Sequence, residues 1–200
     1  MAVQSSPFLT RQLELTSPSI SRMAPLLYVY RDDPEELIAS AGAQTAFTHN
    51  NLQVIKSAEF FSTVTYQVLQ GASPVTAIEH AKRGQINSDL FSEWIEMGMQ
   101  SVEQDTRQAI LDFGQMCETA AAFPGVIHLI TKYESDLKQA LVENVMAGGD
   151  SAGRGLIVGM VLGAHLGMDA IPPKWLTDMK AYLQIVDMLS IIDRVRVLHG

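Results

Sequence analysis

Asp150 and Ser151 place a carboxylate beside a hydroxyl in the turn Gly148-Gly149-Asp150-Ser151-Ala152-Gly153. Carboxylate and hydroxyl oxygens are what a hard cation such as Mg2+ selects. The turn also leads into an apolar segment ending at Gly167, where a carboxylate meets the first unpaired backbone N–H groups of a helix. Two roles therefore fit Asp150 equally well from residue chemistry: a helix N-cap, or a metal-ligand or anion-site group. The same residues satisfy the pattern G-x-S-x-G, which would make Ser151 the nucleophile of a serine esterase. That chemistry needs a β-strand before the serine and an oxyanion loop upstream. The residues before Ser151 instead have helical spacing, and no His-Gly-Gly loop precedes them.

The other reactive side chains are scattered. His49, His80, His128, His165 and His199 include no pair at i, i+4, so a histidine zinc site is not expected. His128 and His165 fall in apolar stretches and are expected as hydrogen-bonded core residues, whereas His49, in Thr48-His49-Asn50-Asn51, suits a helix cap. Asp32, Asp33, Glu35 and Glu36 open a helix, and dipole complementarity accounts for them. The single cysteine, Cys117, excludes an internal disulfide and any cysteine-cluster metal site; it is expected as a buried thiol in a reducing, cytoplasmic setting. The ten methionines are expected as core filler. A net charge of −8 and a pI near 5.0 argue against nucleic acid and anionic membrane surfaces as partners. The apolar run from Leu156 to Ala164 is far shorter than the roughly 20 residues that span a bilayer.

The elements that would position these groups read as helices throughout. Residues 1–17 form a poorly specified lead-in, and residues 18–200 one domain. Met23, Leu26, Leu27 and Tyr30 keep helical spacing; Asp33-Pro34 opens a helix to about Phe47, Leu52 one to about Gly71, and Ser73-Pro74 another. The stretch from Asn87 to Ala122 reads as two helices. Phe123-Pro124-Gly125 is expected to break the pattern before a short helix from Val126 to Tyr133. Helices from Asp136 to Met146, after Asp150, from Pro173 and from Tyr182 to Leu198 complete an all-α domain. Gly155, Gly159, Gly163 and Gly167 recur at four-residue steps on one face of the segment after Asp150. Four glycines on one stripe, each costing roughly 1 kcal/mol against alanine, lead us to expect a buried helix with another packed closely on that face.

Several landmarks fall in a telling order: Ser21-Arg22-Met23-Ala24-Pro25-Leu26, Thr48-His49, Ala122-Phe123-Pro124-Gly125-Val126-Ile127-His128-Leu129, Asn144 to Gly163, and Ile171-Pro172-Pro173-Lys174-Trp175. Together they resemble the ADP-ribosylglycohydrolase family from about Ser17 to about Leu183. The Asp-Ser-Ala form of the turn is most similar to the branch containing the jellyfish lens crystallins. The resemblance implies an all-α, orthogonally packed fold and a cleft for ADP-ribose or an ADP-ribosylated substrate. It also implies two Mg2+ ions that position substrate and water for glycosidic cleavage. It assigns Asp150 and its neighbour Ser151 to the metal, and Ser19 and Arg22 to the phosphate side of the cleft.

The sequence departs from the family at both ends of that site. In the family's Asp-x-Asp-Thr turn, Asp150 takes the first position, but Ala152 and Gly153 stand where the second aspartate and the threonine belong. The family's Gly-Asp segment and Thr-Asp-Asp cluster lie upstream of the Arg-x-Ala-Pro landmark and have no counterpart here. The phosphate loop reads Thr16-Ser17-Pro18-Ser19-Ile20-Ser21, in which Pro18 removes a backbone donor. The expectation is therefore a chain matching the C-terminal two-thirds of such a protein, N-terminally truncated, with hydrolysis by this chain left open. A non-catalytic crystallin-like scaffold or ADP-ribose-binding module is the alternative. Apolar stripes without their usual partners would favour a homo-oligomer or a complementing N-terminal chain.

Overall fold

The structure is a computed structural model that describes residues 22–85 and 89–199, and among those residues it is all-α, with no β-strand. The helices are α1 (Ala24–Val29), α2 (Pro34–Thr48), α3 (Leu52–Leu69), α4 (Pro74–Gln85), α5 (Asp89–Gln100), α6 (Thr106–Phe113), α7 (Thr119–Lys132), α8 (Leu137–Met146), α9 (Ser151–Leu166), α10 (Pro173–Thr177) and α11 (Tyr182–His199). The lead-in 1–17 and Ser19 lie outside the described residues.

Local chemistry sets most helix starts. Asp33, Asn51, Asp105, Asp136 and Asp150 each cap a helix by accepting a backbone N–H two or three residues on, at 2.8–3.3 Å. Pro34 and Pro173 occupy first-turn positions, where the missing N–H costs nothing.

Three helices form the centre. α3, α7 and α9 pack against one another; α2 and α4 flank α3, α5 and α6 flank α7, and α8 lies along α9. Their apolar faces meet in a core that includes Val64, Ile127, Val158 and Val161. Phe123 of α7 is its aromatic hub, with ring centroids 4.9–5.7 Å from Phe60, Phe61, Phe91 and Trp94.

Two expectations are corrected. α7 runs from Thr119 to Lys132 straight through Pro124-Gly125, so there is no break there. A proline so placed forfeits one backbone hydrogen bond, yet Phe123 and Val126 on either side are buried, and packing outweighs the local preference. α5 also comes very close at this point. A Cβ on Gly98 would stand 2.6 Å from the Pro124 carbonyl oxygen and 2.6 Å from Ile127 Cβ. Nor is the glycine stripe of α9 a helix seam. Only Gly155 is tight, where a Cβ would lie 2.8 Å from Asn144 Nδ2 of α8; at Gly159 and Gly163 it would meet nothing within 4 Å. α9 buries a different face, through Ile157, Val158, Val161 and Leu162. Gly167 ends the helix with φ of +73°, a left-handed conformation suited to glycine.

Candidate functional site

Asp150 sits between α8 and α9 in a turn whose shape is imposed from below. Gly148 and Gly149 both have positive φ, and a Cβ on Gly149 would lie 2.1 Å from the Gln115 carbonyl oxygen. That carbonyl accepts the Asp150 N–H at 3.0 Å, and the Gln115 side chain donates to the Ala147 carbonyl at 2.6 Å. The α6–α7 loop therefore clamps the glycine turn from both ends.

The residue that sequence reasoning missed is Arg154. Its side chain is fully buried one turn into α9 and runs back beneath the turn. Nε donates to Asn144 Oδ1 at 3.1 Å and Nη2 to the Gly148 carbonyl at 2.5 Å. Asn144 in turn donates to the Ser151 carbonyl at 2.7 Å. Gly125 leaves room for the chain, since a Cβ there would lie 3.3 Å from Arg154 Cδ. Burial pushes the guanidinium pKa down, and the Asp150 charge acts the other way. An arginine four residues past an aspartate N-cap was the available signal, masked by the apolar residues around it.

The Asp150 carboxylate accepts the Gly153 N–H at 3.1 Å, the same geometry as Asp33, Asp105 and Asp136 at their helices. Ser151 is the first residue of α9 and half-buried. It follows helix α8 and a glycine turn, so the strand-to-helix elbow of a serine esterase is not formed. Among the described residues, no three His, Cys, Asp or Glu side chains gather where they could hold a metal ion. With Ala152 and Gly153 next in line, the donor set around Asp150 does not fit a protein-held Mg2+.

Arg22 belongs to a different corner. Its exposed Nη2 donates to Thr48 Oγ1 at 2.7 Å, and His49 Nδ1 lies 3.0 Å from the same oxygen. The landmarks Arg22 and Thr48-His49, 26 residues apart, thus meet at the end of α2. His49 is held below the usual histidine range, chiefly by burial and then by Arg22, so it is neutral at physiological pH and the guanidinium carries the local charge.

His128 forms a third polar centre, inside the protein. Ser101 Oγ donates to the Gly98 carbonyl at 2.8 Å, so the 2.6 Å contact between Ser101 and His128 Nδ1 has the ring as donor. With the ring neutral, Nε2 accepts from Thr106 Oγ1 at 3.1 Å, and Tyr133 Oη donates to Thr106 at 2.7 Å. A neutral ring with its proton on Nδ1 satisfies this chain. Accordingly, His128 is pushed down to about 4, by burial first and Lys132 second, with Asp105 acting weakly the other way. The group ties α5, α6 and α7 together, as expected of a core histidine. His165, in contrast, is exposed and Cys117 only half-buried, because each lies on the outward side of its segment.

An apolar groove of about 650 Å3 opens beside Ser151 between α8, α9 and α10, walled by Leu141, Val145, Leu156 and Trp175. Its sequence signal was a second set of apolar residues on α8, Val142, Val145 and Met146, all of them exposed.

A helical scaffold with a clamped glycine turn feeding a capped central helix is the class these features define. The chain belongs to the ADP-ribosylglycohydrolase family, whose pattern matches residues 11–199. A crystallin, Crystallin J1B of Tripedalia cystophora, is 23% identical over 181 residues, covering 88% of this chain and 54% of the relative. The chain thus spans about half the length of that curated relative.

Proposed function

We propose that these 200 residues act as a non-hydrolysing scaffold of the family that recognises ADP-ribose or an ADP-ribosylated substrate. The observation that carries this reading is the Asp150 turn, where the carboxylate is used as a cap and no further carboxylate or hydroxyl follows at the second-aspartate and threonine positions. Arg22 supports the binding half. Its guanidinium is exposed and oriented by Thr48, and a diphosphate is the anion such a fork takes best. The family resemblance gives Ser19 the same phosphate-binding role. A cytoplasmic setting belongs to the same proposal. No described helix is long and apolar enough to cross a membrane.

A second reading draws on the extent of the match. Because the chain spans about half of its relative, carboxylates from a further segment or a complementing chain would join Asp150 and Ser151 to hold Mg2+ for hydrolysis. Titration calorimetry with ADP-ribose separates the two. The scaffold reading expects binding that magnesium does not alter, that Asp150→Asn leaves unchanged, and that Arg22→Gln weakens roughly tenfold. It fails if ADP-ribose does not bind. Magnesium-dependent release of ADP-ribose from a modified protein, lost in Asp150→Asn, would establish the hydrolase instead.

A further inference from the structure

Helix α11 is fastened to the body at Asp193, which accepts Tyr28 Oη at 2.6 Å and lies 3.6 Å from Arg31 Nη2. Leu189 and Ile192, within about a turn of Asp193, are partly buried, as is Tyr182 at the start of the helix. The opposite side carries Met188, Ile191 and Val195, at 57%, 53% and 50% exposure, with Gln184 one turn earlier. The spacing i, i+3, i+7 is that of a coiled-coil seam, here facing water.

We propose that this face pairs antiparallel with the same face of a second copy of the chain. The argument rests on charge. Asp187 and Arg194 are both exposed and, seven residues apart, flank the seam on one side. When two such helices run antiparallel about a two-fold axis, like flanks meet. Met188 then layers against Ile191 of the second copy, and Gln184 against its Val195. In that register Asp187 falls opposite Arg194 of the second copy, and symmetry repeats the pair. The other flank brings Ile185, also exposed, to Ile192 of the second copy. A parallel pair would set Asp187 against Ile192 and leave both charges without opposites. Arg194 now rests on the Ser190 carbonyl at 3.2 Å, an exposed contact readily exchanged for a carboxylate.

Sedimentation equilibrium of the full 200-residue chain tests this, with circular dichroism verifying that each variant keeps its helicity. The wild type is expected to dimerise. Asp187→Arg and Arg194→Asp, each alone, place like charges opposite one another and are expected to raise the dissociation constant about tenfold. Mixing the two variants in equal amounts regains both cross-pairs, so the mixture should associate within about threefold of wild type. Ile191→Glu should leave a folded monomer. The proposal is overturned by a wild type that stays monomeric at every concentration, which would leave the face to another segment or protein. A dimer indifferent to the single swaps, or a mixture that fails to recover, overturns it equally.

Discussion

At the scale of single residues, the Asp150 carboxylate bonds the Gly153 amide through one oxygen, and an asparagine side chain carries the same acceptor. If capping is its role, Asp150→Asn should change unfolding free energy by less than about 0.5 kcal/mol, and Asp150→Ala should cost about 1 kcal/mol. Equal losses in urea titrations would mean that the charge, and with it the link to Arg154, matters more than the cap. His128 gives a pH signature. The folded ring titrates near 4 and an unfolded one near 6.5, so between those values the unfolded chain takes up a proton that the folded chain refuses. Its contribution is complete above pH 6.5 and is lost as pH falls towards 4, by up to about 3 kcal/mol. Subtracting the pH profile of His128→Asn from that of the wild type should isolate this slope, and identical profiles would refute it. The cap at Asp150 was legible because it depends on the next three residues. The His128 chain was only half legible: the apolar surroundings announced burial, but Ser101 and Thr106 lie 27 and 22 residues away.

Helices were legible where the deciding signal was local. Asp33-Pro34, Asn51 and Asp136 mark starts that the structure places at the same residues. Pro124 and the α9 glycines misled for a common reason: their consequences are set by what packs beside them. Proline stays inside α7 because Phe123 anchors the aromatic cluster, and the close helix approach occurs at Gly98, which no periodicity singled out. Opposite effects of one substitution follow. Gly98→Ala drives a methyl into the Pro124 carbonyl and Ile127 and should destabilise by about 1–3 kcal/mol. Gly159→Ala meets open space and should stabilise by roughly 0.5–1 kcal/mol through helix propensity. A loss at Gly159 would restore the seam that the geometry denies.

Across the whole molecule, burial is uneven in a way that joins stability to association. α3, α7 and α9 share the core, whereas α11 leans on the body around Asp193 and shows water a seam of Met188, Ile191 and Val195. Family membership and the all-α class could be read from ordered landmarks spread along the chain. The α11 face could not, because an apolar stripe reads the same whether it meets a core or a partner. Local opening free energies follow burial, so amides of α7 should exchange slowest with solvent deuterium and those of α11 among the fastest. A second copy binds the folded and not the unfolded chain, so it adds to the cost of every opening that passes through dissociation, and mass action makes that gain depend on protein concentration. Raising the concentration roughly hundredfold should therefore slow exchange both in α11, which opens only once the dimer parts, and in α7, which opens by global unfolding. Exchange in Asp187→Arg should show that slowing in either helix only at about tenfold higher concentration. Exchange in α11 that ignores protein concentration would remove α11 from the contact.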